Sequence, residues 1–116
     1  MIDRRRSSCD RRRDERVALV AAVKQRIGGE VQLALAQDLG LQGIALRRVG
    51  RVLPPRTPVT MTFELPDGGA PVRVHGAVVS ERADGSYQRT GVRFDDLTPL
   101  DHARIERLIS RVMDKT

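Results

Sequence analysis

The side chains in this sequence best placed to do chemistry are arginines. Seven of them fall within residues 1–16, against Asp3, Asp10, Asp14 and Glu15, so this short segment holds +3 of the chain's formal +6. A guanidinium group stays charged at any accessible pH and presents a planar fork of N–H donors that fits phosphate and carboxylate oxygens in pairs. Gathered at one end of a chain, such groups also raise the local concentration and on-rate of an anionic partner. The chemistry on offer is recognition of an anion. A second constellation is Asp38-Leu39-Gly40-Leu41-Gln42-Gly43. Its carboxylate can accept N–H donors, and its two glycines can either turn the chain or let a ligand approach the backbone, both roles being open.

No set of residues points to catalysis. His75 and His102 lie far apart in differently patterned segments, and Ser7, Ser8, Ser80, Ser86 and Ser110 lack the glycine-flanked turn of a nucleophile elbow. Gly40 to Gly43 is not followed by the lysine of a phosphate-binding loop. The pair Asp95-Asp96 reads as turn and cap chemistry ahead of a helix. We therefore expect a binding module and not an enzyme. Cys9 is the only cysteine, which leaves no intrachain disulfide, no thiolate cluster for a metal, and a reducing compartment as the expectation. No apolar run matches a secretory leader or a membrane span, so a cytoplasmic location without stable membrane insertion is expected. A nucleic-acid polymer is a poor partner, because the basic segment also carries four acids and aromatics make up only 3% of the chain.

The elements that must position these residues read as follows. Residues 1–15 are polar and aperiodic and are expected to form a flexible arm, ahead of a single domain over 16–113. Val17, Leu19, Ala21 and Val23 alternate with Ala18, Val20, Ala22 and Lys24, which fits a strand, although the alanines fit a helix equally. After Gly28-Gly29, Val31, Leu33 and Leu35 line one side of a second strand, and Asp38 to Gly43 connects it to a third at Ile44-Ala45-Leu46. Val59, Met61, Phe63 and Leu65 give the clearest alternation. Val72, Val74, Gly76 and Val78 follow after the turn Pro66-Asp67-Gly68-Gly69, and Thr90, Val92 and Phe94 follow after Ala83-Asp84-Gly85. Phe63, Phe94 and Tyr87 are expected as the few large pieces of the core.

The period then changes to that of a helix over about 98–113. Thr98 can cap it, Pro99 suits its first position, and Asp101 stands where a capping-box acid reaches back. Ile105, Leu108, Ile109 and Val112 form an apolar stripe with Leu100, while Arg104, Arg107 and Arg111 face away. Six strands and one helix predict an all-β fold, a six-stranded antiparallel barrel closed by a C-terminal α-helix, since closure removes exposed edges; an open β-sandwich fragment is the alternative.

Arg12-Arg13-Asp14-Glu15-Arg16 followed by Val17 resembles the RxxxR motif of PilZ domains, bacterial receptors for cyclic di-GMP. Asp38 to Gly43 falls where that family carries [D/N]xSxxG, and Gly91-Val92-Arg93-Phe94 and the closing helix extend the resemblance over residues 11 to about 113. It implies a six-stranded split barrel with a C-terminal helix and no cofactor beyond the ligand itself. It also implies that Arg12 and Arg16, with Arg13 beside them, hold the phosphates and stack on guanine. Asp38 would bond a guanine edge, Gly40 would stand at the ligand, and Gly43 would shape the connection. The motif serine is Gly40 here, so a hydroxyl is absent, and a PilZ-like adaptor that has lost nucleotide binding is the alternative. Either way the resemblance implies a protein effector as partner, from the flagellar motor, the type IV pilus machinery or a polysaccharide synthase.

Overall fold

The computed structural model describes residues 15–114. Its strands are β1 (Arg16–Ala18), β2 (Ala22–Ile27), β3 (Glu30–Gly40), β4 (Gly43–Arg48), β5 (Pro58–Phe63), β6 (Val72–Asp84) and β7 (Tyr87–Phe94), followed by one helix, α1 (Pro99–Asp114). All pairings are antiparallel, in the order β3-β2-β5-β6-β7-β4, and β4 returns to β3, which closes six strands into a barrel. The short β1 pairs with the end of β3 on the same side as β2. The stretch expected as one strand over 17–24 is thus broken at residues 19–21. Leu19 and Ala21 still reach β3, through the Leu19 N–H to the Gln37 carbonyl and the Ala36 N–H to the Ala21 carbonyl.

Alternation explains the core. Val59, Met61, Phe63 and Leu65 from β5 and beyond meet Val72, Val74 and Val78 from β6, and all are buried. Ile105 and Ile109 of α1 are fully buried and plug one end of the barrel. Phe63 stacks on Phe94 with centroids 6.4 Å apart. Tyr87, in contrast, lies outside the core under the Arg47 guanidinium, 5.0 Å from its ring centre, because β7 starts in a hairpin arm beyond the barrel wall.

Three local expectations change. On β3, Val31, Leu33 and Leu35 face solvent, and Ala34 and Ala36 face the core. The register with β2 sets Ala34 opposite Val23 and Gln32 opposite Gln25, so the inward side of β3 is its small and polar one. The Thr98 cap forms, its hydroxyl accepting the Asp101 N–H at 3.1 Å, but the Asp101 carboxylate binds Arg104 instead of reaching back. Arg104 in turn does not face away. It is held by both carboxylate oxygens of Asp67 at 2.9 Å, which locks α1 to the turn after β5.

Candidate functional site

Two β-bulges shape one outer face of the barrel. In β3 the register with β4 shifts between Ala36 and Asp38. Ala36 and Leu39 are both buried, so Gln37 and Asp38 lie between two inward residues and neighbour one another on the outside. In β6 the register with β7 shifts between Val78 and Ser80, which leaves Val79 and Ser80 both outward and turns Glu81 inward. A bulge is what lets two consecutive side chains serve one surface.

Between these bulges lies a surface cleft of about 370 Å³. Gly43 and Ala45 of β4 face Arg93 and Gly91 of β7 in register, and Gly91 faces Ser80 of β6, so the floor is almost free of side chains. Gly43 is required there, because a Cβ would run into the Val92 carbonyl of the neighbouring strand. Its role is a close approach of strands and not a turn. The connection itself is only Leu41-Gln42, since β3 runs on to Gly40, which pairs with Arg16.

Arginines form the walls. Arg16 donates from Nε to Asp38 Oδ1 at 2.5 Å, and Arg89 of β7 donates to Asp38 Oδ2 at 2.9 Å and to Gln37 Oε1 at 2.5 Å. One carboxylate thus gathers two guanidinium groups from different strands at the rim. Arg93 stands at the other end, more than half exposed and loosely paired with Asp95 at 3.3 Å. Beneath the floor, Arg48 donates to Glu81 at 2.7 Å and to Thr90 at 2.9 Å, and the Leu53 N–H bonds Glu81 at 2.7 Å. Burial pushes the Glu81 carboxyl up, but the bonds from Thr90, Leu53 and Arg48 outweigh it and hold the group below its ordinary range. This buried network fixes the strands that carry the cleft.

Of the residues expected at a site, Arg16, Asp38, Gly40 and Gly43 come together here, while Arg12 and Arg13, like all of the expected arm over 1–15 except Glu15, lie outside the described residues. Gly40 is not in the left-handed region, and a Cβ on it would stand 3.2 Å from the Glu15 carbonyl oxygen and 3.4 Å from Arg16 Cγ. Arg89, Gln37 and Ser80 were missed. The outward phase of Arg89, Gly91 and Arg93 along β7 was legible, but pairing across 51 residues to Asp38 was not. His75 is no site residue. It bonds Asp96 at 2.6 Å on the exposed surface, and this holds the Asp96 carboxyl low.

Among the described residues no cluster of His, Cys, Asp or Glu could hold a metal ion, and no helix is long and apolar enough to cross a membrane. The family profile described as PilZ domain matches residues 10–111. No curated protein sequence matches the chain. Among solved structures, the fold is similar to the Bacillus subtilis inhibitor of motility MotI/DgrA, with a TM-score of 0.79 at 14% identity over 87% of this chain and 50% of that one. It is similar to the MrkH–c-di-GMP complex of K. pneumonia, with a TM-score of 0.75 at 21% identity over 90% of this chain and 53% of that one. A third likeness is to the PilZ domain of YcgR with c-di-GMP from Escherichia coli, with a TM-score of 0.69 at 15% identity over 90% and 93%. The chain spans about half the length of the first two.

Proposed function

This chain belongs to the PilZ domain family, and from that premise we propose that it is a receptor for cyclic di-GMP that relays the level of the nucleotide to a protein partner. The observation that carries this reading is the pairing of Arg16 and Arg89 on Asp38, at the rim of a cleft floored by Gly43, Ala45 and Gly91. A flat base can lie on a floor without side chains. The Asp38 carboxylate can accept the two adjacent N–H donors of a guanine edge, and in doing so it releases guanidinium groups toward the phosphates. Arg12, one motif length before Arg16, would supply a further guanidinium from the arm. Similar folds solved with the nucleotide, MrkH and the YcgR domain, support the ligand class.

Calorimetric titration with cyclic di-GMP at fixed salt tests the reading, with the linear dinucleotide and GTP as controls. Saturable heat at micromolar cyclic di-GMP is expected, with much weaker binding of both controls. Equal heats from all three would reduce the cleft to a general anion site. A second reading, an adaptor that no longer binds nucleotide, is favoured by one observation. Gly40 offers no hydroxyl although its backbone conformation admits a side chain. Absence of saturable heat selects it. In either reading the partner belongs to motility, pilus or polysaccharide control and the protein works in the cytoplasm.

A further inference from the structure

On the barrel wall away from the cleft, the outward residues of β3, β2, β5 and β6 form a ladder of unusual composition. Arg26 faces Val31 and Thr60, Lys24 faces Leu33 and Thr62, and Ala22 faces Leu35, while Thr60 and Thr62 face His75 and Arg73 on β6. Leu33 is 74% exposed and Val31 and Leu35 about half, and Val20, in the break before β2, is 92% exposed. Among the described residues, Lys24, Arg26 and Arg73 make no ion pair, unlike Arg16, Arg89 and Arg93 at the cleft and Arg104 of the helix. Two hollows of about 480 and 300 Å³ share Lys24 and Thr62 and so run on into one furrow. Val20, Leu33 and Val31 lie on the β3 side and Pro66, Pro71 and Arg73 on the β5–β6 side, with Lys24 and Arg26 between them, so three cations outnumber the exposed carboxylate of Glu64 in the lining.

A row of exposed aliphatic side chains is unfavourable in water unless something covers it, and unpaired cations beside it specify the charge of the cover. We infer that this furrow docks an acidic amphipathic helix of a partner protein, its apolar stripe against Val20, Leu33 and Val31 and its carboxylates against Lys24, Arg26 and Arg73. Dimensions agree. The outward positions from Val20 to Arg26 span roughly 20 Å at about 3.3 Å per residue, the length of three to four helical turns of about 5.4 Å. A second copy placed symmetrically would set cations against cations, which argues against self-association through this face. A lipid surface is disfavoured because Phe63, the aromatic residue among those lining the furrow, is buried in the core and leaves no exposed ring to anchor at an interface. Opposite charge along one shoulder, with apolar residues at helical spacing, is the remaining fit.

The probe is a synthetic helical peptide of about 14 residues, with leucines along one face and glutamates along the adjoining shoulder. Its binding is followed by amide chemical shifts in nucleotide-free protein, so that its failure and the failure of the nucleotide reading are separate results. The expected outcome is saturable shifts confined to β2, β3, β5 and the start of β6. The double variant Lys24→Glu/Arg73→Glu should weaken binding about tenfold or more. Leu33→Ser should weaken it similarly while leaving cyclic di-GMP titrations unchanged. A peptide with lysines in place of the glutamates should not bind. Equal binding of the acidic and basic peptides, shifts centred on the Arg16–Arg89 cleft, or binding to phosphatidylglycerol vesicles without binding to the acidic peptide would each overturn the proposal.

Discussion

Replacing Asp38 by alanine separates the two jobs this carboxylate could have. If it only tethers arginines, removing it frees Arg16 and Arg89 and deletes a negative charge near a dianionic ligand, so every anion should bind more tightly. If it reads a guanine edge, cyclic di-GMP binding should fall. The structural cost is small. The pairs to Arg16 and Arg89 involve side chains 43% and 35% exposed against 21% for Asp38. Solvent-screened pairs of this kind contribute at most about 1 kcal/mol each, so Tm should drop by no more than about 10 °C. The ligand term is larger, because hydrogen bonds to a charged group contribute about 1.5–3 kcal/mol, or roughly 10- to 150-fold in Kd. Calorimetry with cyclic di-GMP and cyclic di-AMP on the wild type, Asp38→Ala and Asp38→Asn decides the matter, since adenine lacks the two adjacent N–H donors. We expect a loss of at least tenfold for cyclic di-GMP in Asp38→Ala, an intermediate loss in Asp38→Asn, and an unchanged or stronger affinity for cyclic di-AMP. Tighter binding of both nucleotides by Asp38→Ala would refute the assignment of Asp38 to the guanine edge.

Further outcomes follow from the same geometry. Gly40→Ser should tighten cyclic di-GMP binding by a few-fold, about 0.5–1.5 kcal/mol for a neutral hydrogen bond, with Gly40→Ala as the control for the 3.2 Å contact to the Glu15 carbonyl; equal affinities of the two variants would show that the hydroxyl contributes nothing. Arg12→Ala and Arg16→Ala should each weaken binding on the order of 2 kcal/mol with little change in Tm, and unchanged dissociation constants would remove both from the site. Glu81→Ala leaves the Arg48 charge buried and unpaired, so thermal unfolding should show a loss of about 3–5 kcal/mol; a shift of only a degree or two would mean that the network beneath the cleft is not structural. The carboxyls of Glu81 and of Asp67, the latter held low chiefly by the Arg104 hydrogen bonds, lie below their ordinary range in the folded state. Their stabilisation is complete above the unfolded carboxylate pKa of about 4 and is lost as pH falls through the lower folded values. Melting temperatures should therefore hold between neutrality and about pH 5 and fall below about pH 4, and a Tm that rises on acidification would contradict these partners.

The barrel was legible because its core strands alternate without interruption. Val59 to Leu65 and Val72 to Val78 carry the period of a half-buried sheet, and Thr98-Pro99 marks the start of the helix. What alternation could not show is where it changes phase. The β3 bulge turns Gln37 and Asp38 outward together, and the β6 bulge sends Glu81 into the interior, and neither follows from residue type. For the same reason the aliphatic side of β3 was placed by its register with β2 and not by its hydrophobicity. In the candidate site, the juxtaposition of Arg16, Asp38 and Gly43 was reachable through motif spacing. Arg89 was not, because its partner is distant in sequence and arginine on an outward strand position ordinarily signals only solvent. Arg104 shows the converse error: its helical phase pointed to solvent, whereas Asp67 from a turn drew it inward.

Amide chemical shifts of the labelled protein titrated with cyclic di-GMP test the central claim most directly. Saturable changes are expected at Arg16, at Gln37 to Gly43, at Val79 and Ser80, and at Arg89 to Arg93, the residues that form and flank the cleft. Saturable changes that leave these residues unmoved and gather elsewhere on the barrel would contradict it.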